Sequence, residues 1–397
     1  MTGEKPLKIL IAADTYPPDV NGASVFCHRL ATAMAKRGHE VHVVAASNVP
    51  GPAFTLAQPE AMVHRLKSHA APTHETYRVC LPHTANKAVG RLLDELQPDV
   101  VHAQCHYMVG QAALSGARRR GIRTVATNHF MPENLDPFLP FPGWFKRIIA
   151  RNSWRDMGRI MGKADVVTTP TPLAARAMMS YARLDKVLPL SNGIDSGHYE
   201  PVPGEAVDKP DWPTVLFVGR LAVEKNIDVL IKALGRMTAS PQAHLEIIGG
   251  GEQREPLERL AAGLGLAGRV HFRGHVDDDE LRRAYLRSDV FCQPGTAELQ
   301  SLVTLEALSA SKPVVLADAM ALPHLVDDGV NGYLFPPGDA DELARKLDAV
   351  LALDDAGRAA MGAAGHQKAM SHSQDKTMET FEKIYRGASA EDFLAAQ

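Results

Sequence analysis

Short apolar runs alternate with segments of helical hydrophobic spacing along the first half of the chain. The apolar run at residues 8–13 is followed by a segment at 24–37 with apolar residues at helical spacing, which Gly38 closes as a candidate C-cap. Another strand is predicted at 40–46, and later apolar runs, each followed by a candidate helix, lie at 99–103, 124–127 and 165–168. Strands that alternate with helices predict a parallel sheet covered on both faces.

The same alternation restarts in the second half. Strands are predicted at residues 214–218, 244–248, 269–273, 290–293 and 313–317, with helices such as 226–237 and 277–287 between them. Residues 200–213 contain four prolines and four acidic residues, a composition that suits neither a strand nor a helix interior. We therefore predict an amino-terminal domain at 1–195, a linker at 196–213 and a carboxyl-terminal domain at 214–372.

Both halves predict the α/β class, with two doubly wound, Rossmann-like domains facing a cleft. In open parallel sheets, ligands bind beyond the carboxyl ends of the strands. The loops that directly follow strands, from both halves, are therefore the candidates for function.

Composition narrows the class of protein. The chain has 397 residues, more than the roughly 250–300 that one hydrophobic core usually reaches, which agrees with two domains. Its 43 basic and 46 acidic side chains argue against wrapping nucleic acid. The apolar runs are shorter than the roughly 18 residues of a membrane-spanning helix, and no secretory signal is visible. Four dispersed cysteines suit reduced thiols, so we expect a cytoplasmic protein.

A candidate anion site follows the strand at 214–218. Gly219, Arg220 and Lys225 lie in a loop that leads to a helix. A guanidinium with a nearby ammonium suits a diphosphate, whose negative charge grows when a bond to it breaks. The alternative is a solvated loop with ordinary surface charges. Three consecutive glycines beginning at Gly249 would let the backbone approach a ligand, although a plain tight turn explains them as well.

A pair of glutamates follows the strand at 290–293. Glu298 is expected in a loop, while Ser301 is predicted to cap a helix that begins near Leu302 and carries Glu306 in its second turn. Backbone N–H groups at the start of that helix would hold an anion, and the two carboxylates would accept hydrogen bonds from hydroxyls. The competing interpretation is that both glutamates are exposed surface charges.

Two clusters raise the question of a metal. His102, Cys105 and His106 have the side chains of metal ligands but no fourth partner at a zinc-like spacing. Residues 277–279 are three consecutive aspartates at the start of a predicted helix, where negative charge favours the helix dipole. We predict no metal site from either cluster.

The order and spacing of four residues resemble the GT-B glycosyltransferases of family 4: Arg220, Lys225, Glu298 and Glu306. Also similar to this family are "YPPDVNGASVFCHRLATAMAKRGHEVHVV", "SNGID" at 191–195 and the stretch after the glutamates that begins "VVLADAM". The resemblance implies a GT-B fold whose last helix, at about 373–388, packs back on the first domain. It also implies a retaining enzyme that uses a nucleotide sugar as co-substrate, with no metal and no resident cofactor.

The resemblance implies roles for individual residues. Arg220 and Lys225 would hold the donor diphosphate, Glu306 would bind the ribose, and Glu298 would contact hydroxyls of the donor sugar. His129, after the predicted strand at 124–127, would face that sugar, so the catalytic group is Arg220, Lys225, His129 and Glu298. The residues expected to line the donor besides Glu306 are Gly22, Gly219, Gly249, Gly250, Gly274, His275, Val276, Leu299, Gln300, Ser301 and Leu302.

The sequence departs from the family pattern at two places. Asn21 and Gly22 stand where the family usually has paired glycines, and asparagine tolerates the left-handed backbone that such a loop requires. Leu299, Gln300 and Ser301 replace the usual Gly-Phe-Gly-like stretch after the first glutamate. The sugar pocket is therefore expected to differ from that of other members.

A basic segment bears on the acceptor. The segment between positions 144 and 163, beginning with Trp144, contains six Lys or Arg residues. Those from Arg147 to Lys163 step across one face of a predicted helix, and most apolar residues fall on the opposite arc, with Lys146 and Ile148 as exceptions. This pattern suits contact with an anionic membrane surface, and it equally suits a helix whose apolar face lies in the domain core. "NHFMPEN" at 128–134 resembles family members that glycosylate membrane lipids such as diacylglycerol, which implies that Glu133 and Asn134 meet the acceptor.

We therefore expect a retaining transferase that moves a hexose or hexuronic acid from a nucleotide diphosphate sugar, UDP before GDP, to a lipid hydroxyl. The reaction would take place at the cytoplasmic face of the membrane, where the protein would be peripheral, and no nucleic acid would take part. Three alternatives stay open. They are the same chemistry on a soluble cell-wall, capsule or secondary-metabolite precursor, a GT-B-like sugar-nucleotide epimerase, and a non-enzymatic nucleotide-binding subunit.

Overall fold

The chain forms two compact units. The computed structural model describes residues 5–19, 21–71, 74–132, 141–200, 202, 204–205 and 207–394. The first unit comprises residues 1–192 and 376–397, and the second comprises residues 193–375. The proline-rich segment that we expected as a linker belongs to the second unit, because Tyr199 at its start is 4% exposed and lies in that unit's core.

The strands have the following bounds. They are β1 (Lys8–Ala13), β2 (Glu40–Ala46), β3 (Phe54–Ala57), β4 (Met62–Leu66), β5 (His69–Ala71), β6 (His74–Val79), β7 (Val100–Ala103), β8 (Arg123–Thr127), β9 (Val166–Thr169), β10 (Leu188–Pro189), β11 (Thr214–Val218), β12 (His244–Ile248), β13 (Val270–Gly274), β14 (Val290–Gln293), β15 (Val314–Ala317) and β16 (Gly332–Phe335). Every strand predicted from an apolar run is confirmed to within one residue at each end. The strands β3 to β6, β10 and β16 were not predicted.

The helices occupy most of the segments between strands. They are α1 (Gly22–Lys36), α2 (Pro82–Leu96), α3 (Met108–Arg119), α4 (Gly143–Met161), α5 (Pro172–Tyr181), α6 (Ser196–Tyr199), α7 (Ile227–Leu234), α8 (Arg254–Gly263), α9 (Asp278–Arg287), α10 (Leu302–Ser309), α11 (Ala340–Leu351), α12 (Asp355–Met370), α13 (Gln374–Tyr385) and α14 (Glu391–Leu394). The helix predicted at 226–237 is shorter, since Gly235 forms the C-cap of α7. Asp277 caps α9 by accepting a hydrogen bond from the Glu280 N–H at 2.8 Å.

Each unit contains a doubly wound sheet, as predicted. The first sheet has the order β10-β9-β8-β7-β1-β2-β4-β3, in which β3 alone runs antiparallel to its neighbour. Ile9 and Ile11 of β1 pack into one hydrophobic cluster, and Leu10 and Ala12 pack into another on the opposite face. The second sheet, β13-β12-β11-β14-β15-β16, is parallel throughout. Burial of parallel strands on both faces explains their continuous apolar runs.

The helix α13 completes the core of the first unit. Phe381 and Tyr385 are buried among residues of β1 and α1. His102 at the end of β7 bonds the Tyr385 hydroxyl through Nδ1 and the Thr127 hydroxyl through Nε2, both at 2.6 Å. Helix α13 is therefore linked through His102 to the carboxyl ends of β7 and β8.

Candidate active site

The loop after β11 presents Arg220 and Lys225 at the carboxyl edge of the second sheet. Nη2 of Arg220 donates to Oε1 of Glu224 at 2.5 Å, and the Arg220 side chain is 41% exposed. A short 3₁₀ turn, Val223–Lys225, precedes Asn226, which adopts a left-handed backbone (φ 49°) just before α7. This turn places the guanidinium and the ammonium on neighbouring parts of one loop.

The loop after β14 is joined to the loop after β11. Nζ of Lys225 donates to Oε1 of Glu298, and these side chains are only 21% and 13% exposed. The Asn226 amide donates to the Thr296 hydroxyl at 3.2 Å, and the Thr296 N–H donates to the Glu224 carbonyl at 3.1 Å. Glu298 is thus not an exposed surface charge, contrary to the competing interpretation, and it lies beside a predicted phosphate ligand.

The glycines after β12 allow three loops to pack together. A Cβ on Gly249 would lie 2.0 Å from the Gly219 carbonyl oxygen, and a Cβ on Gly251 would lie 2.4 Å from that of Leu221. The Leu221 N–H donates to the Gly250 carbonyl at 2.8 Å. Backbone contact with the Arg220 loop is therefore sufficient reason for glycine here, and direct contact of Gly249 and Gly250 with a donor stays a prediction.

Replacement of Gly249 by alanine should destabilise the second unit by about 1–3 kcal/mol, since the added methyl group would overlap a backbone oxygen that cannot move freely. The backbone there also has φ +128°, which a residue with a side chain rarely adopts. Urea unfolding of the variant would measure the loss. Gly263→Ala is the matched control, because nothing lies within 4 Å of its added Cβ. Equal stability of the Gly249 variant and the wild type would contradict the packing described here.

The loop after β13 joins the same edge. The Gly249 N–H donates to the Gly274 carbonyl at 2.8 Å, and a Cβ on Gly250 would lie 2.7 Å from Nε2 of His275. Val276 packs against the core of the second unit. Gly274, His275 and Val276 therefore lie next to the glycine loop, and their contact with a nucleotide base stays a prediction.

The start of α10 is built as predicted. Ser301 is the N-cap, and its hydroxyl accepts a hydrogen bond from the Thr304 N–H at 3.4 Å. Glu306 is 6% exposed, and Oη of Tyr285 donates to its Oε2 at 2.9 Å. Burial raises the pKa of Tyr285 well above its usual value, so its hydroxyl stays a donor. Glu306 is therefore a buried carboxylate and not a solvated helix charge, and its contact with a ribose stays a prediction.

The residues between the two glutamates are mostly buried. Leu299 and Gln300 are each 8% exposed, Ser301 is 1% exposed, and Leu302 is half-buried against the core. These side chains therefore pack inside the protein and help to hold the loop that carries Glu298 in place.

In the first unit, Gly22 and His129 lie at the carboxyl edge of that unit's own sheet. Gly22 begins α1, and the Asn21 side chain caps that helix by accepting from the Ser24 N–H at 2.9 Å. The backbone of Asn21 is extended (φ −156°), so the left-handed conformation expected there is wrong. Nε2 of His129 bonds Oε1 of Gln104 at 2.9 Å, and its ring packs on Phe26 with centroids 4.9 Å apart. Burial lowers the pKa of His129 to about 4, so the imidazole is neutral near pH 7.

The two residues predicted to meet the acceptor, Glu133 and Asn134, lie outside the described ranges.

The possible metal cluster after β7 is engaged within the protein. His102 bonds Tyr385 and Thr127, as described above, and the Cys105 thiol donates to Oδ2 of Asp14 at 2.6 Å. Burial lowers the pKa of His106 to about 4 and raises that of the Cys105 thiol well above its usual value. Within the described ranges, no three side chains of the metal-binding types come together.

Sequence reasoning missed the partners that orient the charged groups. Glu224 pairs with Arg220, Tyr285 bonds Glu306, and Gln104 bonds His129. Arg220 and Glu224 are four residues apart, but that spacing predicts an ion pair only on an α-helix, and these residues lie in a loop and a short 3₁₀ turn. The other two contacts join distant segments and have no local signal.

The two halves of helix α4 differ in how far their apolar side chains are exposed. Trp154, Met157 and Ile160 in the second half are buried, while Trp144 at its start is 59% exposed. Phe141, just before the helix, is 43% exposed. Four arginines at intervals of four residues share an exposed face: Arg147, Arg151, Arg155 and Arg159. In the part of the chain that the structure describes, no helix has the length and apolar character needed to cross a bilayer.

Comparisons with known proteins agree with this architecture. Residues 205–368 match the family model "Glycosyl transferases group 1", and residues 20–198 match "Glycosyltransferase Family 4". A GDP-mannose-dependent alpha-(1-6)-phosphatidylinositol monomannoside mannosyltransferase from Mycolicibacterium smegmatis is 30% identical over 299 residues, which cover 71% of this chain and 72% of that one.

Two further matches extend the comparison. The sulfoquinovosyl transferase of Arabidopsis thaliana is 29% identical over 276 residues, 66% of this chain, and the match spans only about half (52%) of that relative. The solved structure of sucrose-phosphate synthase from Thermosynechococcus elongatus superimposes with a TM-score of 0.79 at 21% identity. The superposition covers 99% of this chain and 100% of that one, which establishes a shared fold.

Proposed function

Because the chain belongs to glycosyltransferase family 4 and is a glycosyltransferase with the GT-B fold, we propose that it is a retaining enzyme acting on a lipid hydroxyl. The donor would be a nucleotide diphosphate sugar carrying a hexose or hexuronic acid. Membership in a glycosyltransferase family argues against two of the alternatives, the sugar-nucleotide epimerase and the non-enzymatic nucleotide-binding subunit. The soluble acceptor stays as the second candidate.

The contacts around Lys225 support the proposal that the donor is a nucleotide diphosphate sugar. Lys225 contacts Glu298, and the same loop holds Arg220 at the carboxyl edge of the sheet. Ser301, three residues after Glu298, caps the eight-residue helix α10, whose first backbone N–H groups lie just after it. Two cations and a helix start supply the positive charge that a departing diphosphate requires. Sugar hydroxyls could then donate to the carboxylates of Glu298 and Glu306.

The proposed reaction breaks the bond between the anomeric carbon and the diphosphate oxygen, and it forms a bond from that carbon to the acceptor oxygen. The departing phosphate takes the acceptor's hydroxyl proton on the same face of the sugar, so the configuration is retained. Arg220 and Lys225 stabilise the charge that develops on the diphosphate. Because protein groups supply this stabilisation, we expect turnover to continue when divalent cations are chelated.

Contact with an anionic membrane is the argument for a lipid acceptor. The exposed aromatic side chains Phe141 and Trp144 adjoin the exposed arginine face of α4. Aromatic residues at the interface and basic residues near anionic headgroups both favour binding to a bilayer surface. The mannosyltransferase relative from Mycolicibacterium is named for a phosphatidylinositol monomannoside, which is a lipid. These features support a reaction at a membrane surface, and we propose that this is the cytoplasmic face.

A donor and acceptor screen tests the proposal. The protein would be incubated with UDP- and GDP-sugars, including GDP-mannose, and with anionic liposomes that contain diacylglycerol or phosphatidylinositol. We expect one donor to give a glycolipid whose anomeric configuration matches that of the donor. Transfer only to soluble hydroxyl compounds would establish the second candidate. An inverted product would refute the retaining mechanism.

Replacing Arg147 and Arg151 by glutamine should weaken binding to anionic liposomes roughly 30-fold, since each basic side chain near such a surface contributes about 1 kcal/mol. Liposome flotation measures the change. The control is the double variant Arg259→Gln with Arg345→Gln, which removes two equally exposed charges (70% and 68%) from the second unit. An equal loss in both variants would show that net charge, and not the α4 face, governs binding.

A further inference from the structure

The cations of the proposed donor site already face carboxylates. Arg220 pairs with Glu224 at 2.5 Å and lies 4.0 Å from Glu252, while Lys225 pairs with Glu298. Among these five side chains, two are positive and three are negative. A diphosphate would therefore meet a local charge that is not positive, which is unexpected in a site that must hold an anion.

The Lys225–Glu298 pair is held in place by the loops around it. Its members are 73 residues apart in sequence and are 21% and 13% exposed. The Glu298 carbonyl accepts a hydrogen bond from the Ala321 N–H at 3.3 Å, and the Thr296 N–H donates to the Glu224 carbonyl. The backbone thus fixes the carboxylate near the ammonium, where solvent screens the charge less than at an open surface.

We propose that Glu298 and the diphosphate compete for Lys225, and that hydroxyls of the transferred sugar relieve this competition by donating to Glu298. The inference rests on the proposed function. Before transfer, the sugar supplies donors to the carboxylate. After transfer, the nucleoside diphosphate lies beside an uncompensated carboxylate, so Glu298 favours release of the product. Glu298 is then a residue that distinguishes donor from product.

The other pair at this site provides the contrast. Glu224 lies on the same loop as Arg220, its side chain is 11% exposed, and its carbonyl oxygen holds the Thr296 N–H. It is thus built into the loop that positions the guanidinium. Glu298 comes from a different strand end and follows Pro294 and Gly295, so its position relative to Lys225 depends on how two loops meet.

The test compares two affinities in the Glu298→Gln variant. Calorimetry would measure the binding of UDP and UDP-glucose, and of GDP and GDP-mannose, to the wild type and the variant. We expect the variant to bind the nucleoside diphosphate roughly tenfold more tightly, because a carboxylate beside the phosphates has been neutralised. Binding of the matching nucleotide sugar should not tighten, since its hydroxyls lose a charged acceptor.

Glu252→Gln is the matched control. It removes the same charge 4.0 Å from Arg220, but its side chain is 53% exposed. We expect a change of less than about twofold for either ligand, because screened surface charges contribute little. If both variants bound the nucleoside diphosphate more tightly by the same factor, the loss of one negative charge anywhere near the site would explain the change. That result would overturn the inference.

The remaining outcomes separate the inference from the proposed function. If neither UDP nor GDP binds the wild type, the proposed function fails and the inference fails with it. If one of them binds and Glu298→Gln does not bind it more tightly, the inference alone fails. If Glu298→Gln does not fold, the same affinities would be compared between the wild type and Glu298→Ala, which also removes the carboxylate. In the wild type, a nucleoside diphosphate that binds more tightly than its nucleotide sugar would contradict the inference.

Discussion

Turnover should fall by about 10²–10³-fold when Arg220 is replaced by alanine, the range found when one preorganised donor is removed from a developing oxyanion. Arg220 lies directly after β11, and Glu224 holds its guanidinium at 2.5 Å. A guanidinium fixed in this way is already oriented when charge grows on the diphosphate. If the contact strengthens only as the bond breaks, kcat and kcat/KM should fall by similar factors.

The same substitution should leave the fold intact, because the Arg220 side chain is 41% exposed and its ion pair contributes little to stability. Arg236→Ala is the matched control, since its side chain is 47% exposed and pairs with Asp341 at 3.0 Å. Steady-state kinetics with the donor found in the screen, together with melting temperatures, would compare the two variants. Full turnover in Arg220→Ala would remove this residue from the mechanism.

The strands could be predicted where burial on both faces leaves a continuous apolar run. β1 and β11 are examples, since nearly every residue in them is buried. The strand β3 gave no such signal, because its residues are mostly exposed at the edge of the first sheet. Edge strands pair through backbone groups, which are the same for every sequence, so their side chains carry less information.

The features of the site that depend on residues close together in the sequence could be predicted. Arg220 and Glu298 were identified because each follows an apolar strand, and Ser301 was identified as a helix cap. The pairing of Lys225 with Glu298 joins loops 73 residues apart, and it depends on β11 and β14 being neighbours in the sheet. Strand order is a property of the whole fold, so no local pattern reveals that contact.

The sequence alone also could not show why three glycines follow one another from Gly249. Gly249 was expected to approach a ligand, and that contact stays a prediction. The structure adds a second reason for glycine, because a Cβ added there would lie 2.0 Å from the Gly219 carbonyl oxygen of the adjacent loop. A glycine that faces a ligand and one that faces another backbone have the same sequence signal. Only the packing of the two loops distinguishes them.

The first unit should lose stability steeply as the pH falls below 6.5, because it buries several neutral histidines. Burial lowers the pKa of His102 from 6.5 to about 3, and it lowers the pKa values of His106 and His129 to about 4. Above pH 6.5 these imidazoles are neutral in both the folded and the unfolded chain, so their contribution is fully present. Below it the unfolded chain binds protons that the folded unit excludes, and stability falls until the folded pKa values are reached.

His102 allows the size of this effect to be tested. It is fully buried between Tyr385 and Thr127, and linkage predicts a loss of about 2 kcal/mol from this residue alone at about pH 5. His102→Gln should therefore be less stable than the wild type at about pH 8, but it should lose about 2 kcal/mol less on acidification. Urea unfolding would be followed by the fluorescence of the buried Trp154 in a background with Trp144→Phe and Trp212→Phe, so that the signal reports on this unit. His83→Gln in α2 is the control, because that side chain is exposed and its removal should leave the pH dependence unchanged. The same pH dependence in His102→Gln and the wild type would mean that His102 is already protonated in the folded unit, or that the acid sensitivity arises elsewhere.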